Sequence, residues 1–165
     1  MGRALSSGLA MCLLAGTGWA QVNQTPDNRS VLGGGNDLLS NGAVAIRAGL
    51  YDEGIRLTSL GLERGDASKA ERAAALSNLC AAYAAKHMPD MAIGLCTESL
   101  AIDGRNWRAF SNRSYAYWLK GMYAEATFDL DAAAAISPKA KQVLQIRGMI
   151  NEAGLRPRIT MEDHQ

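Results

Sequence analysis

The central part of the chain repeats itself at a fixed interval, the one that separates Leu76 from Phe110. A shift by this interval superposes matching residue types: Leu76 on Phe110, Asn78 on Asn112, Cys80 on Ser114, Ala82 on Ala116, Tyr83 on Tyr117, Ala92 on Ala126, and Ile102 on Ile136. An interval of this length is typical of helical-repeat folds, in which one short unit cannot bury its own apolar face and must stack on its neighbours. The repeat therefore predicts an all-α solenoid.

Each unit divides into two helices at a corner that contains a helix-breaking residue. The corners contain Gly49, Pro89 and Gly121. Ser68 followed three residues later by Glu71 is the sequence of a capping box, and Ser137 before Pro138 predicts the start of a last helix that ends near Ala153. Small residues recur where paired helices should approach most closely: Gly42 with Gly54, Cys80 with Ala92, and Ser114 with Ala126. The same pattern predicts burial of Leu76, Leu79, Tyr83, Phe110, Tyr117 and Leu130.

The third unit carries the most specific pattern: Phe110, Arg113, Ser114, Tyr117, Gly121, Tyr123, Ala126, Leu130 and Pro138. At these spacings it resembles the tetratricopeptide repeat, with Arg113 in place of the usual Leu. The second unit has Cys96 at a bulky position and Gly104 in place of Pro, while the first unit is degenerate and carries four extra residues. The resemblance covers residues 36–138. It implies a short right-handed solenoid of about three helix-turn-helix units plus a C-terminal capping helix, together spanning 36–154.

The resemblance also implies that the first helix of each unit lines a concave groove for another polypeptide. The residues expected there are Asn78, Arg108, Asn112, Tyr115 and Trp118. Amides suit a peptide backbone and aromatic rings suit its side chains. The alternative is that the two asparagines bond to local backbone and that Trp118 packs on the next helix. Asn78 and Arg108 match two places of the carboxylate clamp of some family members, whereas Leu39, Ala43 and Asn112 do not match the others.

Arg113 has a structural interpretation in the same frame. Antiparallel packing within the third unit brings it level with Asp129, and the resemblance implies that Asn112-Arg113 and Asp129-x-Asp131 recur in related repeats for this pairing. We therefore expect Arg113 to form an internal ion pair.

The N-terminus has the features of a secretory signal peptide over residues 1–20. Arg3 supplies the positive end, the stretch from Ala4 to Gly16 is mostly apolar or small, and small residues precede a bond after Ala20. This predicts a periplasmic or secreted protein; Cys12 lies in a poor context for lipid attachment, because Met11 precedes it. Residues 21–35 are expected to form a flexible leader and residues 155–165 a loose tail.

Charge excludes two classes of partner. The net charge is +1, from 17 basic and 16 acidic residues, and removal of residues 1–20 takes away Arg3 alone and leaves 16 of each. Nucleic acids and anionic membranes require basic stripes or clusters. We therefore expect neither nucleic acid nor an anionic membrane as a partner, and no insertion into a membrane after the signal peptide is cleaved.

Catalytic residues are scarce. Histidine occurs only at His87 and His164, and the sequence has neither a phosphate-binding glycine loop nor closely spaced cysteines. We therefore expect no enzyme, no cofactor and no metal site. The stretch His87-Met88-x2-Met91 contains soft ligands that could hold copper, but methionines at a helix corner also serve as packing residues.

Cys80 and Cys96 remain after signal cleavage and are expected to form a disulfide. They lie seven residues before and nine after His87, so that a helical hairpin folded at this corner brings them to nearly the same height. An oxidising compartment favours the bond. The alternatives are two reduced, buried cysteines and, less favoured, a redox-active pair.

These features favour a non-catalytic module that binds a polypeptide. The alternatives are a structural subunit of an envelope assembly and, more distantly, a copper or redox carrier.

Overall fold

The computed structural model describes residues 36–155, which form seven helices and no strand. The helices are α1 (Asp37–Arg47), α2 (Tyr51–Glu63), α3 (Lys69–Ala85), α4 (Pro89–Ile102), α5 (Trp107–Leu119), α6 (Tyr123–Ile136) and α7 (Lys141–Leu155). None of these helices combines the length and the apolar character that a membrane crossing demands. The signal peptide and leader predicted for 1–20 and 21–35 lie outside the described residues, as does the predicted tail beyond Leu155.

The helices pack as three antiparallel pairs, α1 with α2, α3 with α4 and α5 with α6, followed by the single helix α7. The first helices α1, α3, α5 and α7 also pack side by side, whereas the second helices α2, α4 and α6 make no comparable contact with one another. Because the more closely packed layer lies on the inside of a curved array, the first helices form the inner layer. The predicted helical-repeat solenoid is confirmed.

The helix boundaries follow local signals, with one exception. Ser68 and Glu71 form the predicted capping box at the start of α3. The start predicted for the last helix is wrong: the backbone N–H of Ser137 bonds to Ala133 and ends α6. Pro138 lies in the following turn, and α7 begins only at Lys141.

The three corners share one backbone conformation. Gly49 and Gly121 have positive φ angles of 81° and 73°, and His87 has a φ of 57° at the central corner. A left-handed residue lets the helix end turn sharply, and glycine adopts this conformation without the steric cost that a Cβ brings. His87 is therefore the residue that makes the central turn, one position before the N-cap of α4 and two before Pro89.

Small residues bring the paired helices together as predicted. A Cβ on Gly42 would lie 2.9 Å from the backbone nitrogen of Thr58 and 3.1 Å from the carbonyl oxygen of Gly54. In the third unit the hydroxyl of Ser114 donates to the carbonyl of Ala126 at 2.6 Å. Substituting a larger side chain at either place would push the two backbones apart.

Cys80 of α3 and Cys96 of α4 form a disulfide, with their Cα atoms 5.4 Å apart. This is the pairing that the sequence predicts, and both cysteines are fully buried. The bond ties the two helices of the central unit together.

Helix α7 packs on α6 in the way that α5 packs on α4. Arg147, one repeat after Arg113, donates to Asp131 at 2.9 Å. In the same way Arg113 donates at 3.0 Å to Thr97, which lies one repeat before Asp131. Val143 and Ile146 are buried against Leu130 and cover the end of the core. The capping helix is therefore the first helix of a fourth unit.

Candidate functional site: the inner surface of the first helices

Tyr115 and Trp118 form an aromatic pair on α5. Their ring centroids are 5.9 Å apart with an interplanar angle of 15°, and both side chains are partly exposed. Tyr115 packs against the core beneath it, which holds the pair in place. The indole nitrogen of Trp118 is shielded and has no hydrogen-bond partner among the described residues. A buried indole N–H without a partner is an unsatisfied donor.

Asn78 lies in a depression between α1 and α3, on the same inner layer. The depression has a volume of about 190 Å³ and is lined by Asn36, Leu39, Ser40, Ala43, Glu71, Ala74, Ala75 and Asn78. Asn78 is partly exposed, and its amide makes no hydrogen bond within residues 36–155. The side chain is therefore available to both donors and acceptors of a bound chain.

Arg108 is exposed near the start of α5. Its guanidinium lies 4.5 Å from the centroid of the neighbouring Trp107 ring, a cation–π contact that restricts the side chain without neutralising it. No carboxylate in the described part of the chain pairs with it. Arg108 therefore offers a positive charge at one end of the inner surface.

Asn112 is placed differently from the other four predicted residues. It is buried, and its side-chain nitrogen donates to the carbonyl of Ser77 at 3.0 Å while its side-chain oxygen accepts from Gln142 at 2.5 Å. The amide thus joins α3, α5 and α7 beneath the inner surface. Both ends of the amide are used by the fold, in bonds to two other helices rather than to the local backbone that the structural alternative named. Sequence analysis missed Gln142, although it follows Arg108 by one repeat.

Arg113 forms the predicted internal ion pair. Its guanidinium donates to both carboxylate oxygens of Asp129, at 2.7 and 2.9 Å. The Asp129 side chain is 2% exposed and that of Arg113 is 17% exposed, so water screens the pair weakly. The hydrogen bonds from Arg113 to Asp129 raise the pKa of the guanidinium above its ordinary value and keep it charged.

A second depression lies between α5 and α6, with a volume of about 490 Å³, lined by Arg113, Tyr117, Ala124, Glu125, Phe128 and Asp129. Phe128 is 75% exposed at its wall, a feature that sequence analysis did not single out. The charged groups of the floor, Arg113 and Asp129, already bind each other. This depression therefore offers a ligand fewer unpaired polar groups than the inner surface does.

Nowhere in residues 36–155 do three or more His, Cys, Asp or Glu side chains come together as metal ligands. The fold and the inner surface together define a helical-repeat domain whose first helices carry partly exposed aromatic and polar side chains.

Solved structures with the same fold are tetratricopeptide-repeat (TPR) domains. The Arabidopsis OM64 TPR domain is 19% identical, with a TM-score of 0.62, and the match covers 71% of this chain and 93% of that domain. The second TPR domain of human RPAP3, in complex with the HSP70 peptide SGPTIEEVD, is 23% identical, with a TM-score of 0.59 and coverages of 69% and 92%. The first TPR of Spaghetti (RPAP3), bound to the HSP90 peptide SRMEEVD, is 22% identical, with a TM-score of 0.61 and coverages of 73% and 92%. No protein-family model and no curated protein matches the chain. This likeness shows a tetratricopeptide-type fold.

Proposed function

We propose that the protein is a non-catalytic module that binds a polypeptide on the inner surface of its first helices. The stacked pair Tyr115 and Trp118 is the observation that carries the proposal, because partly exposed aromatic rings held in place by a core are typical anchors of protein interfaces. Similar folds in the RPAP3 structures hold peptides.

The ligand follows from the side chains around the anchor. Asn78 can pair with a peptide backbone, and alanines such as Ala74 and Ala81 leave room beside the aromatic wall. A carboxylate terminus is a poor ligand for this surface, because Arg108 is the one free cation among the five predicted groove residues. An internal, largely uncharged segment therefore fits better than an acidic C-terminus.

The test compares two aromatic double variants. A polypeptide captured by the full chain from its native source is identified, and its binding segment is synthesised with a free and with an amidated C-terminus. Tyr115→Ala with Trp118→Ala should weaken binding by more than about 2 kcal/mol, the loss expected of a central aromatic anchor. Tyr123→Ala with Phe128→Ala, which removes exposed rings of α6, is the matched control.

Equal affinity of both double variants for the segment would overturn the proposal. Amidation of the C-terminus should leave affinity unchanged, and a large loss on amidation would instead indicate a carboxylate clamp. Circular dichroism of each variant checks that helix content is retained.

We further propose that the protein works in the periplasm or outside the cell, after removal of residues 1–20. The buried disulfide supports this location, because such bonds persist in oxidising compartments. Intact-mass analysis of the envelope fraction should give a chain that starts at Gln21 and lacks two hydrogens. A full-length, reduced chain in the cytoplasm would contradict the location.

A further inference from the structure

The central corner differs from its two counterparts in the residues that could bind a metal. The equivalent residues are Gly49, Leu50 and Glu53 at the first corner, His87, Met88 and Met91 at the second, and Gly121, Met122 and Glu125 at the third. The apolar residue at the N-cap is common to all three corners. The central corner alone replaces glycine by histidine and glutamate by methionine.

His87 occupies its position at a steric cost. Its φ of 57° is one that glycine adopts freely and that a residue with a Cβ rarely adopts. Outliers of this kind are concentrated at functional sites. The imidazole is exposed and makes no hydrogen bond within the described residues, so that its nitrogens are free to act as ligands.

Both methionines are open to solvent on part of their surface. Met88 is 42% exposed and Met91 is 50% exposed. Met88 is the N-cap of α4 and Met91 follows three residues later, and residues at this spacing are neighbours on one helix face. Two thioethers and one imidazole therefore lie within five consecutive residues, at the corner and in the first turn of α4.

The corner that carries these ligands is rigid. The backbone N–H of His87 donates to Ala84 at 3.0 Å, and that of Met88 donates to Tyr83 at 2.9 Å. The disulfide between Cys80 and Cys96 fixes the two helices that meet there. The backbone that carries the ligands is therefore held in place, and only side-chain rotamers remain to be ordered when an ion binds.

The local charges permit a cation. Lys86 pairs with Asp52, and Lys120 pairs with Asp90 at 2.5 Å, so that both flanking lysines are neutralised. Asp90 also lies in the first turn of α4, where it offsets the positive end of the helix dipole.

We propose that His87, Met88 and Met91 bind Cu(I), a soft monovalent cation, at the central corner. Thioether ligands select Cu(I), and imidazole suits copper. A hard ion such as Mg²⁺ prefers oxygen ligands, which these three side chains do not supply. The site uses none of the five predicted groove residues and is a function separate from polypeptide binding.

The test uses the full chain with Cys12→Ser, so that no free thiol competes for the ion. Ag(I), which prefers the same soft ligands and needs no reductant, is titrated by calorimetry. Cu(I) is measured in ascorbate against a chromogenic chelator. One equivalent of each ion should bind, and the methyl NMR signals of Met88 and Met91 should shift while that of Met122 does not.

Two variants decide the assignment. His87→Gly with Met91→Glu installs the residues of the other two corners, so that the fold should persist, and Met88→Leu with Met91→Leu conserves side-chain size. Each should weaken Ag(I) and Cu(I) binding by at least about 10- to 100-fold, the loss typical of removing even an outer-shell partner of a metal. Met122→Leu is the matched control. Unchanged affinity in either double variant, an equal loss in Met122→Leu, or no saturable binding by the parent chain overturns the proposal.

Discussion

The buried carboxylate of Asp129 depends on Arg113 as its counterion. We predict that Arg113→Leu, which installs the residue usual for the repeat, lowers the free energy of unfolding by about 3 kcal/mol, because it leaves the Asp129 carboxylate buried without a counterion. Urea unfolding measures the change. Adding Asp129→Leu should recover most of the loss, since apolar replacements of a buried pair are often neutral.

An exposed pair provides the control for this prediction. Arg56 and Glu53 are joined at 2.7 Å, but both side chains are about half exposed, so that Arg56→Ala should change stability little. A loss for Arg113→Leu no larger than that for Arg56→Ala would show that Asp129 is not buried as described.

Asn112 shows why site residues are harder to predict than folds. Its position in the repeat frame predicts a residue that faces the groove, whereas the structure buries it beneath the inner surface. The sequence does not show the hydrogen-bond partners of the amide. Its nitrogen donates to the carbonyl of Ser77, and its oxygen accepts from Gln142 of α7. Hydrogen bonding across three helices depends on side-chain rotamers, which repeat spacing does not determine.

At the scale of the helix pair, close approach makes Gly42 intolerant of a side chain. We predict that Gly42→Ala lowers the free energy of unfolding by about 1–3 kcal/mol, because its Cβ would overlap Thr58 of α2. Gly94→Ala is the matched control, since no heavy atom outside the immediate chain neighbours lies within 4 Å of a Cβ there. Alanine at that place should stabilise α4 by about 1 kcal/mol. Thermal unfolding measures both, and opposite signs are expected.

The disulfide acts at the same scale. Its closed loop spans 16 residues, and a loop of about this size contributes about 3 kcal/mol by restricting the unfolded chain. We predict that a phosphine reductant lowers the urea midpoint of the parent chain to near that of Cys80→Ala with Cys96→Ala. The double variant itself should not respond to the reductant. A parent chain that is equally stable with and without reductant would contradict this contribution.

For the whole molecule, the sequence predicted what depends on spacing. Helix geometry accounts for the repeat interval, for close pairs of small residues such as Ser114 with Ala126, and for the matching levels of the two cysteines along their helices. Each of these features is found in the structure. The start of α7 was predicted wrongly because a serine before a proline signals equally a helix start and a turn after a helix end. The left-handed backbone of His87 was not predicted for another reason: it becomes evident only when the corner is compared with Gly49 and Gly121.

The disulfide between α3 and α4 should divide the domain into a fixed centre and two ends that open independently. In a linear array each unit is held mainly by its immediate neighbours, so that α1–α2 and α6–α7 can fray from the two ends, whereas α3 and α4 cannot separate. Amide hydrogen exchange should therefore be slowest in α3 and α4 and grade to faster values outward, and reduction of the disulfide should flatten this gradient. A ligand lying across α1, α3 and α5 would couple the frayed ends to the fixed centre. Binding would then be visible as slowed exchange in helices that the ligand does not touch.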